Sequence, residues 1–475
     1  MQTVTTRALT FRACVRVGVA ALLTACAGSR PAPGPPGGAP PGGAPPGGGP
    51  AGGVVTTTAA DMQRLYRSLG LVSSGGTVPF TASVSFLRAP SPDTTLTLLA
   101  LSLPSRVLGF SREGDRYAAS YTARVEIRQG QTVVRSVESV EQVRVPTFRE
   151  TTRTDESIIW QQFLRLAPGR YTLAIALRDG GSIRSSSEEV TLDVPRLSAT
   201  ALGSPVPVYE VIPRQSVDSL PRLLARPRAT VVFGVDSLLP VYVDAVGANL
   251  PEVVGVRVRD DADVVLWDST VTLPQRGAGR SVTVGVPVSR MGIGINRVEV
   301  VPQGGRDTSR TRVLVSLGDD LPIATFEEML GYLRYFAAPE RVRELQNAGP
   351  AQRADAWTRF LKETDPVPAT AEHEGLRDYF ARIRTANARY RDDAQVGWQS
   401  DRGIAFVALG DPDNITDTGL IDPNARVRQQ IWEYRELRTQ LVFVDQTGFG
   451  RWRLSAQGRV DLDAAIRRKQ SMQPR

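Results

Sequence analysis

The chain has 475 residues, 57 Lys plus Arg against 49 Asp plus Glu, and a formal net charge of +8; at roughly 150 residues per domain that length predicts about three domains. Two Cys, Cys14 and Cys26, and one His, His373, exclude zinc sites built from three or four Cys or His ligands and leave any nucleophile–imidazole pair no base but His373. Oxygen-ligand sites for calcium or magnesium stay open, so an enzyme would have to lean on carboxylates; no cofactor and no resident metal is expected.

Arg7, Arg12 and Arg16 precede the short apolar run Val17 to Ala25, which is too short to span a bilayer and has the pattern of a secretory signal. The run ends in Leu23-Thr24-Ala25-Cys26. This resembles the lipobox of bacterial lipoproteins, which implies cleavage after residue 25 and acylation of Cys26; an ordinary signal peptide or a short membrane anchor is the other reading. Several acyl chains on one Cys give durable anchoring, where a single chain would not. Ala27, rather than Asp, follows the lipid site, and by analogy with lipoprotein sorting this favours the outer membrane. With Cys14 removed and Cys26 acylated no disulfide is available, so the exported protein must be held by its own cores.

Residues 27–53 hold 11 Gly and 9 Pro, with Pro-Pro-Gly-Gly-Ala repeated at Pro35 to Ala39 and Pro40 to Ala44. The period of five is not that of collagen, and no packed structure is expected. Residues 26–53 therefore read as a lipidated tether reaching about 30 Å as a coil and about 80 Å as polyproline II. Removing the three signal-peptide arginines leaves +5, and residues 319–475, with 23 basic and 24 acidic residues, carry −1. The excess lies in the middle. All basic residues but Lys362 and Lys469 are arginine, a bias attributable to a GC-rich genome. The arginines are scattered singly between strand residues, without the stripe or interleaved aromatics of a nucleic-acid surface; no nucleic-acid partner is expected.

A short helix is predicted within 54–70, over Ala59 to Leu69, from the spacing of Met62, Leu65 and Leu69. The period then becomes two. Thr77 to Leu87, Thr95 to Leu103, Tyr117 to Arg128, Thr132 to Val145, Ile158 to Leu166, Tyr171 to Arg178 and Ser182 to Val194 read as strands. About seven strands predict a first β-sandwich over 71–196. Leu166-Ala167-Pro168-Gly169-Arg170-Tyr171 resembles the turn into a late strand of immunoglobulin-like or fibronectin-like modules. A second sandwich is predicted over 203–317, with hairpins pairing Ala229 to Val235 with Pro240 to Val246, Val253 to Arg259 with Val264 to Asp268, and Arg297 to Val301 with Thr311 to Leu317. The turn Asp260, Asp261, Asp263 has two readings, a calcium site and an ordinary acidic turn.

At 319 the period becomes helical. Thr325-Phe326-Glu327-Glu328 has capping-box spacing, and Phe326, Met329, Leu330, Leu333 and Phe336 share a face. Pro339 is expected to break this helix. Further helices are predicted at Glu340 to Asn347, Ala351 to Glu363 and Ala371 to Tyr390. His373, between Glu372 and Glu374, reads as a solvated residue or as a catalytic base.

Gly397-Trp398-Gln399-Ser400-Asp401-Arg402-Gly403 leads into an apolar run, Ile404 to Leu409, read as a strand, and then into Gly410-Asp411-Pro412-Asp413-Asn414-Ile415. Trp432 and the run Asp445-Gln446-Thr447-Gly448-Phe449-Gly450 follow. These motifs, together with Phe360 to Thr370 and with Tyr379, Arg382, Ala386 and Asn387, resemble the GWxTD domain family of exported bacterial proteins over roughly the last third of the chain. Ser400 stands for the family's Thr, and Arg451 where the family tends to have Asp. The resemblance implies β-rich modules ahead of an α+β domain over 319–465. The fold class is thus multidomain: two all-β immunoglobulin-like sandwiches and a C-terminal α+β domain.

The motif residues Gly397, Trp398, Ser400, Asp401, Arg402, Gly403, Gly410, Pro412, Asp413, Trp432, Asp445, Gly448, Phe449 and Gly450 admit three readings. Asp401 and Asp413 could be the paired carboxylates of a glycosidase, which sit about 5 to 10 Å apart. Asp411, Asp413, Asp417 and Asp422 could hold a divalent cation. Otherwise Asp401 pairs with Arg382 or Arg402, Trp398 and Trp432 fill the core, and the glycines permit tight turns. An exposed Trp398 would favour a groove. The expected function is a membrane-anchored, non-catalytic binding or assembly module for an envelope protein or polymer; a carboxylate-dependent hydrolase of an envelope glycan is the alternative.

Overall fold

The computed structural model describes residues 59–472, apart from short segments at 199–200, 215, 217, 234, 247–249, 277–278, 304–307, 317–322, 350–351, 371–372, 392–395 and 418–426. The signal segment, Cys26, the Pro/Gly tract, Glu372 and Asp422 lie outside the described residues. The N-terminal part is predominantly β and the C-terminal part carries most of the helix.

Helix α1 (Ala59–Ser68) opens the chain, and nine strands follow: β1 (Val72–Ser74), β2 (Phe80–Arg88), β3 (Thr95–Leu103), β4 (Ser111–Glu113), β5 (Arg116–Gln129), β6 (Thr132–Val145), β7 (Ile158–Leu166), β8 (Gly169–Asp179) and β9 (Ser185–Val194), with a one-turn helix α2 (Phe148–Thr151) between β6 and β7. One sheet runs β1-β2-β3-β7 and the other β4-β5-β8-β9, with β6 paired to β5. Their alternating apolar residues, among them Phe80, Leu99 and Trp160 from one sheet and Tyr121, Ile127 and Ile175 from the other, make one buried cluster. Strand β3 is buried along its whole length. Its second face, with Leu96, Leu98 and Ala100, packs with Leu87 on Val206, Val208, Leu223 and Tyr242 of the next region, which is why Thr95 to Leu103 reads as a continuous apolar run rather than an alternating one.

That next region contains β10 (Val206–Ile212), β11 (Arg222–Ala225), β12 (Thr230–Val232), β13 (Leu238–Val246), β14 (Val253–Arg259), β15 (Val265–Thr272), β16 (Gln275–Arg276), β17 (Gly279–Pro287), β18 (Gly294–Pro302) and β19 (Ser309–Ser316). They form sheets ordered β11-β10-β13-β17-β16 and β12-β19-β18-β14-β15. The β14–β15 and β18–β19 hairpins match the sequence reading. The hairpin expected from 229–235 and 240–246 does not form: β12 pairs parallel with β19, and β13 pairs with β10 and β17 in the other sheet. Adjacency in sequence gave no hint of that crossover, because both strands have the same inward alternation. Inside this region a buried ion pair, Arg214 to Asp244 at 2.8 Å, crosses the space beneath β13.

The helices are α3 (Phe326–Leu333), α4 (Pro339–Asn347), α5 (Arg353–Thr364), α6 (Glu374–Arg389), α7 (Asp401–Leu409) and α8 (Ala456–Ser471), around the sheet β20 (Asn414–Asp417), β21 (Arg428–Tyr434), β22 (Thr439–Asp445) and β23 (Arg453–Leu454). Thr325 caps α3 by accepting from the Glu328 amide, as its spacing predicts. Helix α3 ends before Pro339, which instead opens α4 at the first position, where its missing N–H costs nothing. The run Ile404 to Leu409 is part of a helix, not a strand. Residues Ala405 to Leu409 are buried on every side of α7, and a short all-apolar run does not distinguish a buried helix from a buried strand. The core of this part is continuous with that of the β region before it, joining Val256, Val298 and Val313 to Phe326, Trp357, Trp398 and Phe443.

Candidate functional site

The glycine-tryptophan motif folds as a clasp between the end of α6 and the start of α7. Gly397 to Gln399 form one 3-10 turn. A Cβ on Gly397 would sit 2.0 Å from the Ala386 carbonyl oxygen, and one on Gly403 would sit 1.7 Å from the Gly397 oxygen. Both glycines are therefore fixed by close backbone approach. Ser400 closes the turn: its Oγ accepts from the Gly403 amide at 3.1 Å and donates to the Gly397 carbonyl at 2.8 Å. A hydroxyl is all that this cap requires, so Ser serves as Thr would. Asp401 sits in the first turn of α7, where a carboxylate suits the helix dipole. Its Oδ2 accepts from the Leu454 amide at 2.7 Å and from Arg459 at 3.4 Å. An arginine does pair with Asp401, but it is Arg459 rather than Arg382 or Arg402, because α7 aims Asp401 at β23 and α8. Arg402 lies over the rings of Tyr390 and Trp452.

Trp398 is 3% exposed. Its ring stacks on Tyr332 at 4.9 Å and lies beneath the Arg334 guanidinium at 4.7 Å, while its amide donates to Asn387 Oδ1 at 3.0 Å. It is a core residue and lines no groove. Trp432, also buried, packs on Phe443 at 4.9 Å. Gly410, at φ +90°, ends α7. After Pro412, Asp413 is exposed, and its Oδ2 accepts from the Arg435 amide at 2.7 Å. Asp401 opens the nine-residue α7, which rises about 13 Å, and Asp413 follows four residues after its end. Asp417 accepts from Gln430 at 2.8 Å and pairs with Arg428.

Asp445 is fully buried at the end of β22. Its two oxygens accept from the amides of Thr447, Gly448 and Gly450 and from the Thr447 hydroxyl, at 2.7 to 3.1 Å. Burial opposes its ionisation, but those bonds, led by Gly450 and Thr447, hold the carboxyl below its ordinary range. The turn needs Gly448 at φ +73° and Gly450 at φ +82°, and it presents Phe449 to solvent at 87% exposure. His373 is likewise structural. It is buried, contrary to the solvated reading, and caps α6: Nδ1 accepts from the Leu376 amide, and Nε2 meets the Thr364 hydroxyl at 3.1 Å. Because that hydroxyl donates to the Phe360 carbonyl, Nε2 carries the proton and the ring is neutral; burial lowers its pKa further. The acidic turn at 260–263 is also occupied. Asp260 Oδ1 accepts from the Ala262 and Val264 amides and Oδ2 from Arg353. Among the described residues no group of three or more His, Cys, Asp or Glu converges on a metal-sized site.

What does converge is arginine. Pairing between β14, β18 and β19 places Arg259 opposite Arg297 and Arg297 opposite Arg312. The next outward row is Arg257, Glu299, Arg310. Neighbouring strands lie about 4.8 Å apart and like-facing residues about 6.8 Å along a strand, so five guanidinium groups share one face. Like charges in register are unfavourable. Glu299, between Arg259 and Arg297, and Asp263 offset part of this. Burial opposes ionisation of Glu299, but the two arginines hold its carboxyl below the ordinary range. Arg310 and Arg312 are exposed. With Arg226 and Arg297 they line a cleft of about 370 Å³ against Gly70 and Ser83 to Ser85, and among the described residues no carboxylate lines it. Single arginines spaced along three strands do not look like a stripe in sequence; strand register makes them one.

No curated protein matches the chain. Residues 303–447 match the family model of the GWxTD domain. The match starts directly after β18 and takes in β19, in keeping with the core that β19 shares with the helices. The C-terminal third of the chain, from the end of β18 to the Asp445 turn, is thus similar to the GWxTD domain.

Proposed function

We propose that the protein is an outer-membrane lipoprotein, held by acylated Cys26 and its Pro/Gly tether, whose folded part is a non-catalytic module that binds an anionic envelope polymer. The observation that carries this reading is the arginine cleft, in which Arg226, Arg297, Arg310 and Arg312 meet without a lining carboxylate among the described residues. A grid of cations favours a ligand with repeated charges, since each anion bound raises the effective concentration of the next. Asp401 is engaged in the clasp, Asp445 in its own turn, and both indoles, Trp398 and Trp432, are buried. We read both β regions as immunoglobulin-like sandwiches. In the first, two sheets enclose one core, and the Tyr171 hydroxyl donates back to the Ala167 carbonyl at 2.9 Å, a bond of the tyrosine-corner type.

The test is titration of the full-length, detergent-solubilised protein with a polygalacturonate oligomer. Wild type binds with an affinity that falls as salt rises, and Arg310→Glu combined with Arg312→Glu weakens binding by about tenfold or more. Equal affinity in wild type and the double variant would remove the cleft from the account.

A further inference from the structure

Arg382 on α6 and Lys469 on α8 meet beside the C-terminal end of α7. A Cβ built on Gly410 would lie 3.8 Å from Arg382 Nη1 and 3.9 Å from Lys469 Nζ, so the two cations are no farther apart than the sum of those distances. They line the same cavity of about 200 Å³, whose other walls include Phe336, Pro366, Ala408, Ile466 and one carboxylate, that of Asp378. The Lys469 ammonium donates to the Leu409 carbonyl at 2.6 Å, a contact that suits a helix C-terminus. Arg382 is less well served. Its Nε is buried without a hydrogen-bond partner, and its guanidinium lies 5.8 Å from the Tyr379 ring. The carboxylates of Asp378 and Asp411 act on it through space, and Asp378 itself is paired with Arg377. Burial lowers the pKa of both cations, and repulsion from Arg382 helps bring Lys469 down to about 8. Two neighbouring cations, one with a buried unmet donor, are costly to keep.

We infer that this cavity is a second binding site, for one carboxylate or phosphate group carried on a short apolar stem. An oxyanion between the two side chains makes charge-assisted bonds of about 2.8 Å to both, supplies an acceptor on the guanidinium side, and leaves its stem among Phe336, Pro366 and Ile466. The site lies between α6, inside the GWxTD match, and α8, beyond its end; it is independent of the arginine cleft and takes one anion rather than a chain of them.

The chain provides its own reporter, because Lys362 and Lys469 are its only lysines and Lys362 is exposed. The full-length protein is labelled with an amine-acetylating reagent at constant ionic strength in the presence of butyrate, acetate, inorganic phosphate or the neutral isostere butanamide, and each lysine is followed by mass spectrometry. Butyrate slows labelling of Lys469 at least about fivefold and leaves Lys362 unchanged. Half-protection needs about fourfold less butyrate than acetate for each added methylene. Protection by butyrate but not phosphate identifies a carboxylate site, and the reverse identifies a phosphate site. Arg382→Gln abolishes the protection, while Arg382→Lys, which keeps the charge without the fork, retains part of it. Equal labelling of Lys469 with and without the anions, or protection by butanamide as strong as by butyrate, overturns the inference in wild-type protein, whatever the fate of the variants.

Discussion

Asp445 is invisible as a structural device in the sequence, where it is one aspartate in a glycine-rich run. In the fold it organises that run by accepting three amides and a hydroxyl. Its pKa is depressed below the ordinary 3.8, so the ionised carboxylate stabilises the native state above that value, and the stabilisation is lost as pH falls through the lower folded value. Asp445→Asn should therefore cost about 2 kcal/mol at pH 7 and flatten the loss of stability below about pH 4. Urea denaturation midpoints at pH 7 and pH 3 check this, and unchanged midpoints at pH 7 would show that the turn does not depend on the charge. The residue types of the motif were legible, including the Ser400 hydroxyl and the buried indoles of Trp398 and Trp432. The partners were not. Asp401 meets Leu454 and Arg459, more than fifty residues downstream, and His373 is enclosed by Thr364 and Leu376; neither burial nor long-range pairing is encoded in local spacing.

At the scale of elements, strands with clear alternation, such as β5 and β6, fall where the period of two places them, and α3 starts at its capping box. Failures occur where local pattern is silent. Helix α7 is apolar on all sides, and β12 pairs with a strand more than eighty residues away. The seat of α7 is set by backbone contact as well as by side-chain packing, and this has a direct consequence. Gly403→Ala puts a Cβ 1.7 Å from a carbonyl oxygen, so the clasp must open or α7 must shift, at the upper end of the cost of overpacking, about 3 kcal/mol. A lowered thermal midpoint with loss of near-ultraviolet signal from Trp398 checks it; a variant as stable as wild type would mean that the clasp is loose. The same level explains the arginine cleft. Residues 257, 259, 297, 310 and 312 are isolated in the chain, and register across β14, β18 and β19 brings them to one face.

At the scale of the molecule, the cores tie the parts together. Strand β3 is buried on both faces, and the core of the second β region runs on into the GWxTD domain, so the walls of the arginine cleft are held by shared apolar packing rather than by a flexible joint. The proposed lipid anchor has its own test: Cys26→Ala should release the protein from the membrane fraction, and retention there would contradict the anchor. Binding without turnover is the central claim, and one measurement reaches it directly. The full-length protein is incubated with an acidic envelope polysaccharide, and polymer length and bound protein are followed by size-exclusion chromatography with light scattering. The account predicts that protein and polymer co-elute through the arginine cleft and that the polymer keeps its length. Progressive shortening of the polymer, lost in Asp401→Asn or Asp413→Asn while those variants stay folded, would contradict it.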